Sequence, residues 1–179
     1  MDSRIINNLK LKILISASVI MALVGFSEAF SQASNLYKIQ SLFLYNFCKH
    51  VKWENTSADT FTIGVYGNTT AFSEIKKNLE KKIIWGKNIK IVEISSMEEL
   101  GNCHLAYMPK SNKKKIIAFI SGVDMSNTLL VTEDDMTANG AAISFVFEQS
   151  KMKFKIDKAK IEQVGLKVSS SLVSIGIPV

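Results

Sequence analysis

The chain has 179 residues and a formal net charge of +6 at pH 7, and 47% of its residues are hydrophobic. This length provides one domain with a hydrophobic core and is too short for two. The basic residues are spread along the chain, with short runs only at 76–77, 81–82 and 113–115, whereas nucleic-acid binding needs clustered basic residues beside stacking aromatic rings. We therefore expect no nucleic-acid partner.

The first 33 residues have the layout of a secretory signal peptide. Three basic residues precede an apolar run, Ile13–Val24, and small residues then offer cleavage after Ala29 or Ala33. A membrane anchor is the alternative, but a spanning helix needs about 20 apolar residues. The sequence predicts a signal peptide over 1–33, cleaved after Ala33, and an exported, periplasmic domain over 34–179.

Residues 36–53 are predicted to form the first helix of this domain. Basic residues crowd its last turn, where positive charge is favourable to the helix dipole, and turn-forming residues follow. Apolar side chains recur at intervals of three and four residues, at Leu36, Ile39, Phe43, Phe47 and Val51.

Strands and helical stretches alternate over the following part of the chain. Four stretches are predicted strands: 61–67, 89–94, 104–109 and 128–133. Three stretches between them have helical patterns: 71–82, 95–100 and 112–121. This alternation is typical of right-handed βαβ units and a largely parallel sheet.

The pattern changes in the last forty residues. The stretches 141–148 and 152–157 are separated by three residues, which indicates an antiparallel hairpin. A short helix is predicted at 158–165, followed by a strand end and a second helix with a serine N-cap. The predicted fold class is α/β: one domain with a mostly parallel sheet in βαβ units and a C-terminal antiparallel hairpin, flavodoxin-like in outline.

No catalytic or nucleotide-binding motif is recognisable. Neither G-x-G-x-x-G nor a Walker A sequence occurs. A response-regulator receiver has a similar topology, but it needs carboxylates where this chain has Gly67–Asn68 and Met108–Pro109. The serines at 169–171 lack a G-x-S-x-G turn and a His-Asp partner. We predict that the protein is not an enzyme and holds no cofactor.

Two cysteines and two histidines form the local pairs Cys48-x-His50 and Cys103-His104. Neither spacing resembles a zinc finger or ribbon, so no metal site is predicted. Two cysteines in an exported protein suggest a disulfide. A Cys48–Cys103 bridge and two separately buried thiols remain the alternatives, because the sequence does not give the distance between their Cα atoms.

A small-molecule site is the alternative function. Open α/β sheets bind ligands at the carboxyl ends of their strands, where Asn68 and Thr69 follow the first strand and three carboxylates, 133–135, follow the fourth. A site near Asn68, Thr69 and Asp134 would use these groups. An exposed acidic loop is the plainer interpretation of the carboxylates.

An ordered set of short motifs over residues 37–173 resembles the YfiR family of exported bacterial proteins. The family pattern Y-N-F-x-K-x-V-x-W is matched by residues 45–53, and a C-terminal pattern is matched by Phe154, Ile156, Gly-Leu-Lys at 165–167 and Ser-Ser at 169–170. The resemblance implies a periplasmic α/β domain without known catalysis that is often dimeric. The best-understood relatives bind the periplasmic sensor region of an inner-membrane diguanylate cyclase and repress cyclic-di-GMP signalling and biofilm formation.

Some relatives use cysteine pairs as a redox-sensitive element, but this chain departs from that pattern. Cys48 lies in the first helix and the hairpin has no cysteine, so redox control is not carried over. We predict an exported, non-catalytic regulatory protein that represses a membrane-bound sensor or cyclase. The outward aromatic residues Tyr45 and Trp53 are candidate partner contacts, and their burial within the domain is the alternative.

Overall fold

The computed structural model describes residues 32–54, 59–67, 69–96, 98–110, 113–120 and 122–179. The chain divides into two units, Met1–Leu36 and Tyr37–Val179, and all the strands described below belong to the second. The predicted signal peptide, 1–33, lies outside the described residues except for its last two. No helix within the described ranges is both long and apolar enough to cross a bilayer.

The first helix, α1, spans residues 32–50 and is followed directly by strand β1, Val51–Trp53. The helix therefore ends three residues before the predicted boundary, and this end of the prediction was wrong. Val51 and Trp53 are buried while Lys52 between them is exposed, which is the two-residue period of a strand. β1 forms an antiparallel pair with β9, Leu166–Val168, which lies far along the chain.

The other strands form one eight-stranded sheet. In chain order they are β2 Thr60–Tyr66, β3 Ile83–Ile84, β4 Lys87–Ile94, β5 Leu105–Met108, β6 Leu129–Thr132, β7 Ile143–Glu148, β8 Lys151–Ile156 and β10 Ile177–Pro178. Their order across the sheet is β10-β8-β7-β6-β5-β2-β4-β3.

Five neighbouring strands, β4-β2-β5-β6-β7, are mutually parallel. Counted along the chain, these five have the order 2-1-3-4-5 that characterises flavodoxin-like sheets. β3 is antiparallel to β4 at one side, and β8 is antiparallel to β7 at the other. The predicted α/β fold, with a mostly parallel sheet and a C-terminal antiparallel hairpin, is confirmed.

Within the described residues, four more helices follow α1: α2 Thr69–Leu79, α3 Lys113–Ile120, α4 Lys158–Gln163 and α5 Ser170–Ile175. Ser169 caps α5 as predicted, with its hydroxyl accepting the Leu172 N–H. The helix predicted at 95–100 is not present among the described residues, which form only a 3-10 turn, Leu100–Asn102. A segment this short makes too few intrahelical hydrogen bonds to offset helix nucleation.

The sheet is covered on both faces, which is why β5 and β6 are buried along their whole length. On one face, Phe47 of α1 packs against Phe145 and Phe154 with ring centroids 5.9 and 4.9 Å away. On the opposite face, α3 contributes Ile116 to a separate buried cluster. That cluster also contains Ile94, Leu100, Cys103, Ala106, Met108 and Leu130.

Candidate functional site

An exposed apolar and basic surface lies where α1 meets the hairpin of β3 and β4. We call it the α1–hairpin surface and define it by Ile39, Leu42, Tyr45, Lys49, Lys82, Ile83 and Trp85. Large apolar side chains are usually removed from water, yet Ile83 is 57% exposed and Trp85 is 59% exposed. Grouped apolar exposure of this kind marks a binding surface.

The two faces of α1 have different surroundings. Leu44 and Phe47 are fully buried, while Ile39 and Leu42 are 47% and 52% exposed. Residues three or four apart share one face of a helix, so the outward row continues from Leu42 through Tyr45 towards the end of the helix. α1 is therefore a core helix on one side and carries an apolar row in solvent on the other.

A two-residue turn, Trp85–Gly86, joins β3 to β4. Ile84 pairs with Lys87 across it, and the turn residues have φ values of +52° and +78°. Two positive φ values are the signature of a type I′ turn, for which Asn-Gly is a preferred sequence. A bulky residue such as Trp85 costs about 1–3 kcal/mol in this backbone conformation.

Two side-chain hydrogen bonds fasten the hairpin to α1. The Trp85 indole N–H donates to the Cys48 carbonyl oxygen at 3.0 Å, in the last turn, where helix carbonyls lack intrahelical partners. The Tyr45 hydroxyl donates to the Ile83 carbonyl oxygen at 3.4 Å. The indole is therefore held by its polar edge while much of its ring remains in water.

The α1–hairpin surface is positively charged. The ammonium groups of Lys82 and Lys49 lie 5.0 and 5.7 Å from the centroid of the Tyr45 ring, within cation–π range. In the part of the chain that the structure describes, neither lysine forms an ion pair. Tyr45, Lys49, Ile83 and Trp85, together with Ile84, line a groove of about 160 Å³.

The two candidate partner contacts from the sequence lie in different surroundings. Tyr45 is partly exposed and belongs to the α1–hairpin surface. Trp53 is only 8% exposed, and its indole N–H donates to the carbonyl oxygens of His104 and Asn127 at 3.2 and 2.9 Å. Its ring packs edge-on against Phe61, so Trp53 corresponds to the alternative of burial within the domain.

Cys48 and Cys103 are free thiols, and both are buried. Cys48 belongs to α1 on one face of the sheet, whereas Cys103 lies in the cluster on the α3 face. A bridge between them would have to pass through the sheet. The structure thus places two separate thiols where the sequence left a disulfide open. Burial raises the pKa of Cys103 to about 11 and that of Cys48 further.

The two histidines also lie in separate places. His50 Nδ1 is 3.1 Å from Ser169 Oγ and 3.4 Å from Ser171 Oγ, a contact between α1 and α5 that the sequence did not reveal. The contacts described for His50 include no carboxylate that would orient it as a catalytic base. No group of three His, Cys, Asp or Glu side chains suited to a metal ion is found among the described residues.

The predicted small-molecule site at the carboxyl edge of the sheet is described only in part. Asn68 lies outside the described residues, Thr69 begins α2, and Asp134 follows β6. The neighbouring carboxylates make internal contacts. Glu133 accepts the Lys110 N–H at 2.6 Å, and Asp135 forms an ion pair with Lys155 at 2.7 Å.

A cavity of about 240 Å³ lies at a different place, beside α3 and α4. Its apolar lining includes Ile120, Met125 and Leu130, and its polar lining includes Lys160 and Gln163. Its volume is slightly below the usual range for sites that take drug-sized ligands.

Comparison with known proteins assigns the chain to a family. The profile of the YfiR/HmsC-like family matches residues 37–176, which covers the whole eight-stranded sheet except β10. This chain belongs to the YfiR/HmsC-like family. Membership suggests a periplasmic regulator in cyclic-di-GMP signalling, from a family that is regulatory and typically periplasmic. No curated protein shows significant similarity to the chain.

The solved structures that match the chain include the ABC domain in complex with L-Trp from Streptococcus pneumonia. The TM-score is 0.49 and the sequence identity is 16%, over 65% of this YfiR/HmsC-like chain. The match spans 54% of that structure, so about half of its length has no counterpart here.

The sequence prediction missed the hairpin part of the α1–hairpin surface in this YfiR/HmsC-like protein. Ile83 and Trp85 follow the predicted helix at 71–82 and were assigned to no element. One signal was present: Trp-Gly stands between two short apolar stretches, and a glycine in that position favours a tight hairpin. Tryptophan at the preceding position is atypical of such turns, which concealed the signal.

Proposed function

We propose that this YfiR/HmsC-like protein is an exported regulator that binds the extracytoplasmic region of a membrane-bound signalling protein, such as a diguanylate cyclase, and represses it. It acts by binding and not by catalysis. A regulator of this kind prefers the inactive state of its partner, and its binding shifts the partner's equilibrium towards that state.

The observation that carries the proposal is the family match over residues 37–176. The α1–hairpin surface supports it, because tyrosine and tryptophan are enriched among the residues that dominate protein–protein binding energies. Tyr45 stands at the centre of that surface, between the lysines and the hairpin.

The first test is deletion of the gene followed by measurement of cellular cyclic-di-GMP. We expect the level to rise on deletion and to return when the unaltered protein is supplied. A Tyr45→Ala protein should fail to restore it. The matched control is Phe147→Ala, which removes an aromatic ring that is 61% exposed on a different hairpin, and it should restore repression fully.

The second test is capture of partners from envelope extracts with the tagged protein. A membrane sensor or cyclase should be recovered with the unaltered protein and with Phe147→Ala, and depleted with Tyr45→Ala. Unchanged cyclic-di-GMP on deletion, together with recovery of no membrane signalling protein, would overturn the proposal.

A further inference from the structure

The β3–β4 hairpin is basic and aromatic, a composition that repression of a signalling partner does not by itself require. Residues 81–90 read KKIIWGKNIK, with lysines at both ends, no carboxylate and a tryptophan in the turn. The turn projects this tryptophan from the edge of the sheet, since β3 is the outermost strand on that side. Aromatic, aliphatic and basic groups thus meet at one edge of the sheet.

We infer that the tip of the β3–β4 hairpin binds the surface of a bilayer that contains anionic lipids. Trp85 and Ile83 enter the region between headgroups and acyl chains, and Lys81 and Lys82 contact the lipid phosphates. The inference goes beyond the proposed function, because it assigns a second, lipid contact to the regulator.

The hydrogen bond of the Trp85 indole favours insertion of its ring into a bilayer. Burial of an unpaired N–H in an apolar medium is costly, but the Trp85 indole N–H already donates to the Cys48 carbonyl oxygen. The ring can therefore leave water without losing a hydrogen bond. Tryptophan is enriched at membrane interfaces, where its amphipathic ring lies at the level of the headgroups.

The positive charges of the hairpin lysines favour binding to anionic lipid. Lys81, which directly precedes Lys82, is exposed, and among the described residues neither lysine forms an ion pair with a carboxylate. Each lysine near an anionic bilayer contributes about fivefold to the partition coefficient. Apolar insertion and lysine–phosphate attraction together give the two signals that stable peripheral binding needs.

A second copy of the chain fits the hairpin tip less well. It would bring like charges together, which is costly at an interface. The protein partner of the proposed function would contact the α1 part of the surface at Tyr45, whereas the bilayer would contact the hairpin tip at Trp85 and Ile83, which are 59% and 57% exposed. An exposed apolar tip flanked by lysines fits an anionic bilayer.

The test uses the chain purified after export, mixed with vesicles and sedimented. One vesicle is phosphatidylcholine alone, and the other is an equal mixture of phosphatidylcholine and phosphatidylglycerol. We expect binding to the mixed vesicle, weakened by added salt, and little binding to the neutral one. In a Trp53→Phe protein, which retains Trp85 as the sole tryptophan, the fluorescence should shift to shorter wavelength on binding.

The informative variant is Trp85→Asn, because Asn-Gly suits a type I′ turn and the hairpin keeps its fold. We expect its partition coefficient to fall about tenfold, since interfacial binding scales with the buried apolar area. Lys81→Gln with Lys82→Gln should lower it about 25-fold. The matched controls are Phe147→Ala and Lys151→Gln on the β7–β8 hairpin, which should bind as the unaltered protein does.

Equal binding of the Trp85→Asn protein, or no preference for the anionic vesicle, would overturn the inference. If vesicles leave the Trp85 fluorescence unchanged while a captured membrane protein shifts it, the surface belongs to a protein partner and the lipid inference fails. Neither result tests the proposed function, because cyclic-di-GMP is measured independently of vesicle binding.

Discussion

Gly64 lies in the middle of β2, facing the side chains of Ile94 and Cys103. A β-carbon added there would lie 2.7 Å from Cys103 Sγ and closer still to Ile94. We expect Gly64→Ala to lower the free energy of unfolding by about 1–3 kcal/mol, the usual cost of overpacking a core. Urea denaturation measures this change.

A double-mutant cycle tests the cause. Cys103→Ala removes the sulfur that the new methyl group would meet, so the double variant should lose less stability than the two single variants together. Strict additivity would show that the contact with Cys103 is not what excludes a side chain at Gly64.

The two thiols should be protected from reagents in the folded protein. Both are buried, and the raised pKa of Cys103, about 11, keeps it protonated at neutral pH, whereas the thiolate is the reactive form. We expect slow reaction with a thiol reagent in buffer and rapid reaction of both cysteines in denaturant. Two unreactive cysteines in denaturant without reductant would instead show a disulfide.

His104 makes stability depend on pH. Burial, with a smaller contribution from Lys87, lowers the pKa of its imidazole below 6.5, and its Nδ1 accepts the Thr62 N–H at 3.0 Å. The unfolded chain therefore takes up a proton first as the pH falls. The stabilisation that His104 contributes is present above pH 6.5 and is lost as the pH falls through the folded-state pKa.

Replacement of His104 by Asn should weaken this dependence, because the amide oxygen can still accept the Thr62 N–H but does not titrate. The comparison is the urea midpoint of both proteins at about pH 7.5 and about pH 5. An equally steep loss of stability in the His104→Asn protein would assign the acid sensitivity to other groups.

At the scale of elements, the β7–β8 hairpin has a turn that its sequence does not favour. Glu148 pairs with Lys151, and the two residues between them, Gln149 and Ser150, have φ values of +49° and +62°. The left-handed conformation costs a residue other than glycine about 1–2 kcal/mol. Tertiary packing of the two strands overrides this local preference.

Gln149→Asn combined with Ser150→Gly should therefore raise the free energy of unfolding by about 1–2 kcal/mol. Thermal unfolding monitored by circular dichroism measures the gain. The control replaces both turn residues with alanine, which removes the side chains without relieving the backbone, and it should give no increase. A gain in that control would point to the side chains and not to the backbone.

At the scale of the whole molecule, α1 completes the core of the unit Tyr37–Val179. Phe47 is fully buried and contacts Phe145 on β7 and Phe154 on β8, although these strands lie about a hundred residues further along the chain. Such long-range contacts mean that the helix and the sheet should unfold together in one cooperative transition.

Phe47→Ala should destabilise this unit by about 3–5 kcal/mol, because it leaves a cavity in a close-packed core. The Phe147→Ala control, on an exposed ring, should change stability by about 0.5 kcal/mol or less. Urea denaturation followed by fluorescence and by circular dichroism measures both. Equal midpoints for the two variants would show that α1 is not part of the cooperative core.

The sequence by itself determined the α/β class, the parallel sheet and the C-terminal hairpin. These features follow from hydrophobic periods and turn residues that act over a few positions, and the strands buried on both faces appear as continuous apolar runs. The motifs shared with the YfiR/HmsC-like family were also present in the sequence, because they are short local patterns, one from the end of α1 through β1 and one from β8 to the start of α5.

Only the tertiary structure decided which apolar residues face water. Trp53 became a buried strand residue because β1 pairs with β9, and Trp85 became exposed because its turn lies at the edge of the sheet. The tertiary structure also placed Cys48 and Cys103 on opposite faces of the sheet. The physical reason is the same in each case: burial depends on partners far away in sequence, and a local pattern of hydrophobicity carries no information about those partners.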